Sequence, residues 1–277
     1  MMMTGMTSMS MAQAMPRMRM ALPRIKVSHT PWKDAKIRFK RLKMIGRGSY
    51  GEVYSALVGK APIIIKHAVP MPGAVTTKDA FEAFKHEIII LGKLQKFPFA
   101  PRLVEVGPDY FIQEDVQGEA MMKILAGKGL EAREILSTTV AAGTILSIMH
   151  REGIAHRDVA SRNILLTPNG VVLIDYGLSV HRSQDEAKWK EGIKDDIGAL
   201  LAFIELGASG TDVPHSAKMV LNGIISKFKR KLDSGEYDEN TASSLSKELF
   251  FVTAQLGARY QRGRTKIAME KIRVALI

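Results

Sequence analysis

Along this chain the spacing of apolar positions changes character twice. From Lys43 to about Val69 they fall in short runs separated by a glycine cluster: Met44-Ile45, then Val53-Tyr54, then Ala61 to Val69, which predicts an antiparallel strand meander. From Lys78 to Lys96 the period is helical, with Phe81, Phe84, Ile88, Leu91 and Leu94 on one face and Pro98 and Pro101 ending the pattern. Tyr110 to Gln113 reads as a short strand, and Glu131 to His150 as a second helix with Ile135, Ala142, Leu146 and Met149 on its buried face. Two further runs, Asn163 to Leu166 and Val171 to Asp175, are joined through Asn169-Gly170, a dipeptide that favours tight hairpins because both residues tolerate positive φ. Helices then dominate, beginning with Asp196 to Leu206. Strands first, with one helix among them, and helices afterwards predict an α+β fold of two unequal lobes. The hinge is expected near Glu114 to Gly118, with a small-molecule crevice between the lobes.

Composition narrows the class. A chain of 277 residues that is 46% hydrophobic is long and apolar enough for a packed core. Its net charge of +12 favours anionic partners. The absence of cysteine excludes disulfides, thiolate zinc sites and cysteine nucleophiles, and fits a cytoplasmic location, with nuclear or organellar import as alternatives. No apolar run reaches the length of a membrane span. Residues 1–35 predict a disordered, basic, Met-rich tail, with Arg17, Arg19, Arg24 and Lys26 and no acid before Asp34; an organelle presequence has the same composition. Lys227 to Lys231, with Arg259, Arg262, Arg264 and Lys266, make the C-terminal helices basic. Such residues are either a solvated face or a surface for RNA or an acidic protein, and the scarcity of aromatics there argues against base stacking.

Candidate chemistry lies in five places. Gly46-Arg47-Gly48-Ser49-Tyr50-Gly51-Glu52-Val53 sits between two strands, where glycines let backbone approach phosphates; alone it is equally an ordinary hairpin turn. Ile64 and Lys66 share one strand face because side chains alternate. Glu87 flanks the buried stripe of its helix, so its carboxylate needs a partner, and Lys66 meets that need. Asp158 and Asn163 share a loop after a long helix, and Asp175 ends the hairpin. One acid that orients a hydroxyl, followed by an amide and a second acid that hold magnesium, is what phosphoryl transfer needs. Each of the three is by itself a common turn residue; their joint order is what carries information.

Over about residues 40 to 206 these motifs resemble the eukaryotic-type protein kinase superfamily: Gly-x-Gly-x-x-Gly-x-Val, the strand lysine, the helix glutamate, His156-Arg157-Asp158 with Asn163, and Asp175-Tyr176-Gly177. The resemblance implies a two-lobed kinase-like fold with a small antiparallel-sheet N-lobe carrying one main helix (36–116) and a reduced helical C-lobe (117–277). It implies ATP and Mg2+ as cofactors and transfer of the γ-phosphoryl group to a protein hydroxyl. Gly46, Gly48, Gly51 and Val53 would cover the nucleotide, and Lys66, held by Glu87, would contact its α and β phosphates. The backbone of Glu114 to Val116 would meet adenine above Leu165, with Gln113 gating the back pocket. Asp158 would act on the attacking hydroxyl, and Asn163 and Asp175 would hold the metal. Leu91, Tyr176, His156 and Asp196 match the family's apolar spine and its anchor.

The chain also departs from that pattern. Ile64 stands where the family has alanine against adenine, and Tyr176 replaces phenylalanine. After Gly177 no Ala-Pro-Glu appears before the next helix, so the platform that docks a peptide is expected to be reduced. This truncation, with Ile65-Lys66-His67, Leu173 to Ser179 and Arg262-Gly263-Arg264, resembles the kinase subunit of the KEOPS complex, which normally has glycine in place of Arg157. Arg157 either pairs with a phosphorylated Ser179, Ser183 or Tyr176, or bonds local carbonyls. Ala160 and Arg162 resemble a tyrosine-kinase catalytic loop, whereas serine/threonine transfer is the family's commoner activity. The alternatives to an active protein kinase are a pseudokinase-like scaffold, a KEOPS-like ATPase or kinase subunit acting in a complex, and a small-molecule kinase.

Overall fold

Glycine-punctuated apolar runs become strands in the first half of the chain, and longer 3.6-period stretches become helices in the second. A computed structural model describes residues 25–258 except residues 49, 70–75 and 128. In chain order the elements are β1 (Lys26–Val27), α1 (Trp32–Ala35), β2 (Lys40–Gly48), β3 (Gly51–Val58), β4 (Ala61–His67), α2 (Thr77–Leu94), β5 (Leu103–Val106), β6 (Tyr110–Glu114), β7 (Glu119–Ala120) and α3 (Met121–Ala126). Then follow α4 (Ala132–Arg151), β8 (Ile154–Ala155), β9 (Ile164–Thr167), β10 (Gly170–Leu173), β11 (Val180–His181), α5 (Glu186–Ala208), α6 (His215–Ser234) and α7 (Thr241–Ala258). Six strands form one sheet in the order β1-β5-β6-β4-β3-β2, antiparallel except for the β1–β5 pair. This is the α+β arrangement of a strand-rich part followed by a helical part.

Alternation along the central strands gives the sheet two different faces. Ile63, Ile65, Ala56, Tyr110 and Ile112 point to the outer face, where they pack with Trp32, Ala35 and Phe39 in a cluster of their own. The main core runs from α2 through the β9–β10 hairpin into the packed helices α4, α5, α6 and α7. On α2, Phe84, Leu91 and Leu94 are buried as their spacing predicts, and Glu87 shares that face at 6% exposure. Helix α4 starts with a capping box, in which the Glu131 side chain accepts from the backbone at Glu134 and the Glu134 side chain accepts from Glu131 N–H at 3.1 Å.

Three sequence-based expectations change. Residues 25–35 are not tail: they form β1 and α1, anchored by Trp32 at 5% exposure, and the remaining tail (1–24) lies outside the described residues. The β9–β10 turn centres on Pro168-Asn169, and only Gly170 takes a positive φ (124°), so proline preset the turn where Asn-Gly had been expected to. Helix α5 begins at Glu186, ten residues ahead of the expected start, because Asp185 caps it by accepting from Lys188 N–H at 2.9 Å. Of the basic C-terminal residues, Lys227 and Lys229 pair with Glu248 and Glu205, each at 2.6 Å; Arg259, Arg262, Arg264 and Lys266 lie outside the described residues.

Candidate active site

Strand β4 is held between β3 and β6, with Lys66 opposite Val53 on one side and Phe111 on the other. That register turns the Lys66 side chain away from the Trp32 cluster and toward α2. Its Nζ lies 2.6 Å from Glu87 Oε1 and 2.8 Å from Asp175 Oδ1. Burial alone would lower the pKa of Lys66, but the two carboxylates outweigh it and raise it, so the ammonium stays charged. Burial pushes the Glu87 carboxyl up, with Lys66 and the N–H of Tyr176 (3.3 Å) opposing the shift. Lys66 holds the Asp175 carboxyl below the usual aspartate range. Asp175 reaches the lysine from a left-handed backbone (φ 66°), a conformation that costs a non-glycine residue about 1–3 kcal/mol and is retained where the surroundings demand it.

The loop between β8 and β9 supplies the other groups. Asp158 accepts from Arg162 Nη2 with both carboxylate oxygens (2.6 and 2.7 Å) and from Asn163 Nδ2 (2.8 Å). Asn163 Nδ2 also donates to the Asp158 carbonyl at 2.9 Å, which leaves its side-chain oxygen as the donor atom free for a cation. Beneath the loop lies Asp196 of α5, fully buried, accepting from His156 N–H (2.8 Å) and Arg157 N–H (2.7 Å), with His150 Nε2 2.9 Å away. These bonds hold Arg157 in its own left-handed conformation (φ 66°). His156 stacks obliquely on Tyr176 with ring centroids 5.0 Å apart, and burial lowers its pKa, which keeps the ring neutral. Leu91, Tyr176 and His156 are all fully buried.

A cavity of about 510 Å³ opens over these residues. Gly48, Gly51, Val53, Lys66, Glu87, Glu114, Val116, Asn163, Leu165 and Asp175 line it, as do Gln113 and Ile64. Gly46 and Asp158 do not line it; Asp158 joins the site through Asn163. Ile45 and Ile174 also line the cavity, each directly preceding a residue that the motif spacing marks, Gly46 or Asp175. At Gly51 the requirement for glycine is steric: a Cβ there would lie 2.3 Å from the His67 carbonyl oxygen. Ser49, between Gly48 and Tyr50, lies outside the described residues.

After Gly177 the chain forms a short strap. Strand β11 pairs with β8, the Ser179 hydroxyl donates to the His156 carbonyl (3.3 Å), and His86 Nε2 lies 2.5 Å from the Ser179 carbonyl oxygen. Arg157 Nη1 donates to the Leu178 carbonyl at 3.5 Å and its Nε lies 3.8 Å from Asp195, so its partners here are local. Tyr176 and Ser179 are buried, and Ser183 is exposed.

The model of the protein kinase domain matches residues 39–195. This chain belongs to the protein kinase family. Among its curated relatives, a probable serine/threonine-protein kinase of Clostridium perfringens is 28% identical over 194 residues, which is 68% of this chain and 28% of that protein. A serine/threonine-protein kinase-like protein of Arabidopsis thaliana is 24% identical over 260 residues, 80% of this chain and 68% of that protein. The tyrosine-protein kinase Srms of Mus musculus is 24% identical over 174 residues, 59% of this chain and 34% of that protein. The kinase chain therefore spans about a third or less of the length of several relatives. Among the described residues no helix is long and apolar enough to cross a membrane.

Proposed function

We propose that this kinase transfers the γ-phosphoryl group of ATP to a protein hydroxyl, with serine or threonine favoured over tyrosine, and that the lobes divide near Glu114 to Gly118. The carrying observation is Lys66, held at once by Glu87 and Asp175, with Asn163 on the same cavity wall and bonded to Asp158. Among the described residues no three acidic or histidine side chains gather around one point, so a magnesium ion held by Asn163 and Asp175 needs phosphate oxygens to complete its shell. That fits a cation that arrives with a nucleotide. Bound there, magnesium would neutralise phosphate charge. Lys66 binds the α and β phosphates while Glu87 keeps it extended. Asp158 accepts the hydrogen bond of the acceptor hydroxyl and takes up its proton as the new O–P bond forms and the bond to the departing diphosphate breaks. Arg162, more than half exposed, holds Asp158 in place and can swing into solvent as the acceptor arrives.

One observation favours a second reading. Ile64 lines the cavity opposite Gln113 on the neighbouring strand and adds bulk where adenine would lie, as suits a scaffold that has lost its nucleotide. A KEOPS-like role in a complex shares the short strap and the same site. Thermal unfolding with magnesium and increasing ATP separates catalysis from scaffolding. Ligand at a hundred times Kd stabilises by about 2.7 kcal/mol, a shift of several degrees in Tm for a chain of this size. A flat Tm across the range would favour the scaffold.

A further inference from the structure

Residues 25–38 precede the matched kinase domain yet pack directly on its sheet. The Trp32 ring lies 5.1 Å from Tyr54, 5.5 Å from His67 and 5.7 Å from Tyr110, centroid to centroid. Its backbone N–H donates to Asp109 Oδ1 at 2.8 Å. The other Asp109 oxygen faces His67 Nε2 at 3.7 Å, and His67 Nδ1 faces Glu52 Oε2 at 3.6 Å. Glu52 in turn accepts from the Tyr54 hydroxyl (2.6 Å) and faces Arg47 Nη2 at 3.4 Å. Thus Trp32 stacks on the outer face of β3 and β4, and through Tyr54 it meets the Glu52–Arg47 pair that joins both strands of the glycine loop; the two His67 contacts are longer than hydrogen bonds and are made by an imidazole whose pKa burial lowers, so they are packing contacts. His67 lies between this face and the site. It follows Lys66 directly, and its carbonyl is the oxygen against which Gly51 is packed.

We propose that residues 25–38 are a brace for the glycine loop, with Trp32, anchored by Asp109, as a positioning residue that acts through Tyr54 on Glu52. This rests on the reading of that loop as the cover of the nucleotide. The aromatic contacts fix where Tyr54 and His67 sit on the outer face; the Tyr54 hydroxyl holds Glu52 on the return strand of the loop, and the His67 carbonyl packs against Gly51. The Tyr54 hydroxyl first, then His67 and Arg47, hold the Glu52 carboxyl below the usual range against the effect of burial, so it remains a charged partner on this face. The occupant of the outer face is the chain's own N-terminal segment; Val53, Ile64 and Lys66 line the cavity from the other face, and the cavity also reaches Glu52 and His67.

Amide hydrogen exchange of the unliganded full chain tests the brace without requiring nucleotide. In Trp32→Ala and in Asp109→Ala, amides from Gly46 to Tyr54 should exchange about tenfold faster, while those of α4 keep their protection; Trp32→Phe, which retains an aromatic anchor, should exchange like the parent. Asp109→Ala leaves the aromatic cluster in place and serves if Trp32→Ala does not fold. The Kd of a fluorescent ATP analogue with magnesium should rise by a similar factor in the two alanine variants. Unchanged exchange from Gly46 to Tyr54, or acceleration spread equally over α4, would overturn the brace. If the parent protein binds no analogue, the kinase reading fails, while the exchange pattern still decides whether Trp32 positions the loop.

Discussion

Asp175→Ala should lose at least about a hundredfold in phosphoryl transfer while remaining folded. Asp175 sits at the cavity with a half-exposed side chain, so its removal opens no core cavity. Lys66 keeps Glu87 as partner at 2.6 Å and remains charged. Under the proposed function, what disappears is one of the two side chains that would hold magnesium, and with it the orientation of the phosphates. The same substitution predicts a pH effect. Because Lys66 depresses the folded-state pKa of Asp175, the ion pair contributes stability above the aspartate's unfolded pKa of about 3.9, and this is lost as pH falls through the lower folded value. The variant should therefore show a shallower loss of stability on the acid side. Circular dichroism at each pH, with labelled-phosphate transfer at neutral pH, measures both consequences. A variant that transfers phosphate at the parent rate would remove Asp175 from the site.

Asp196→Ala should be the most damaging single change to stability, by about 3–5 kcal/mol, or a fall in Tm on the order of 10 °C. The carboxylate is fully buried and is the acceptor for the N–H groups of His156 and Arg157. Without it, two backbone donors beside the core lose their acceptor and His150 loses its partner. The left-handed backbone at Arg157 would also lose the bond that compensates its strain, and Asp158, the next residue, would lose its fixed direction. Activity should fall with stability even at temperatures where the variant is folded. Differential scanning calorimetry beside an activity assay checks this. A Tm within about 2 °C of the parent would show that the loop carries its own stability.

The parts of this site that could be read in the chain were those governed by periodicity or by fixed local spacing. Lys66 and Glu87 were readable because strand alternation and helical period each put a charge on an apolar side, and two such charges imply each other. Asp158, Asn163 and Asp175 form a joint pattern in the chain; in the structure Asn163 and Asp175 line the cavity and Asn163 bonds Asp158, which does not line it. The rest depended on contacts distant in sequence. Trp32 looked like part of a basic tail because its partners, Tyr54, His67 and Tyr110, lie on three later strands. Strand β5 was missed because Leu103–Val106 is a short run that gains its partners only beside β1 and β6. Helix α3 was missed because Met121–Ala126 is little more than one turn and has no side-chain cap. The early start of α5 was missed because apolar periodicity is weak before Trp189, and the Asp185 cap sets the boundary.

The strap after Gly177 ties the loop that carries Asp158 to α2. Its backbone is pinned to β8, to His156 and to His86, so the catalytic loop, α2 and the strap form one connected unit. Preorganised donors and acceptors need no rearrangement at the moment of reaction.

The most direct test is incubation of the full chain with magnesium and γ-labelled ATP beside Asp158→Asn, with mass-spectrometric mapping of phosphorylated residues. An active protein kinase predicts label on serine, threonine or tyrosine hydroxyls of the protein or of added substrate proteins, lost in Asp158→Asn. Equal label in both proteins, or none in the parent under conditions where ATP raises its Tm, would contradict it.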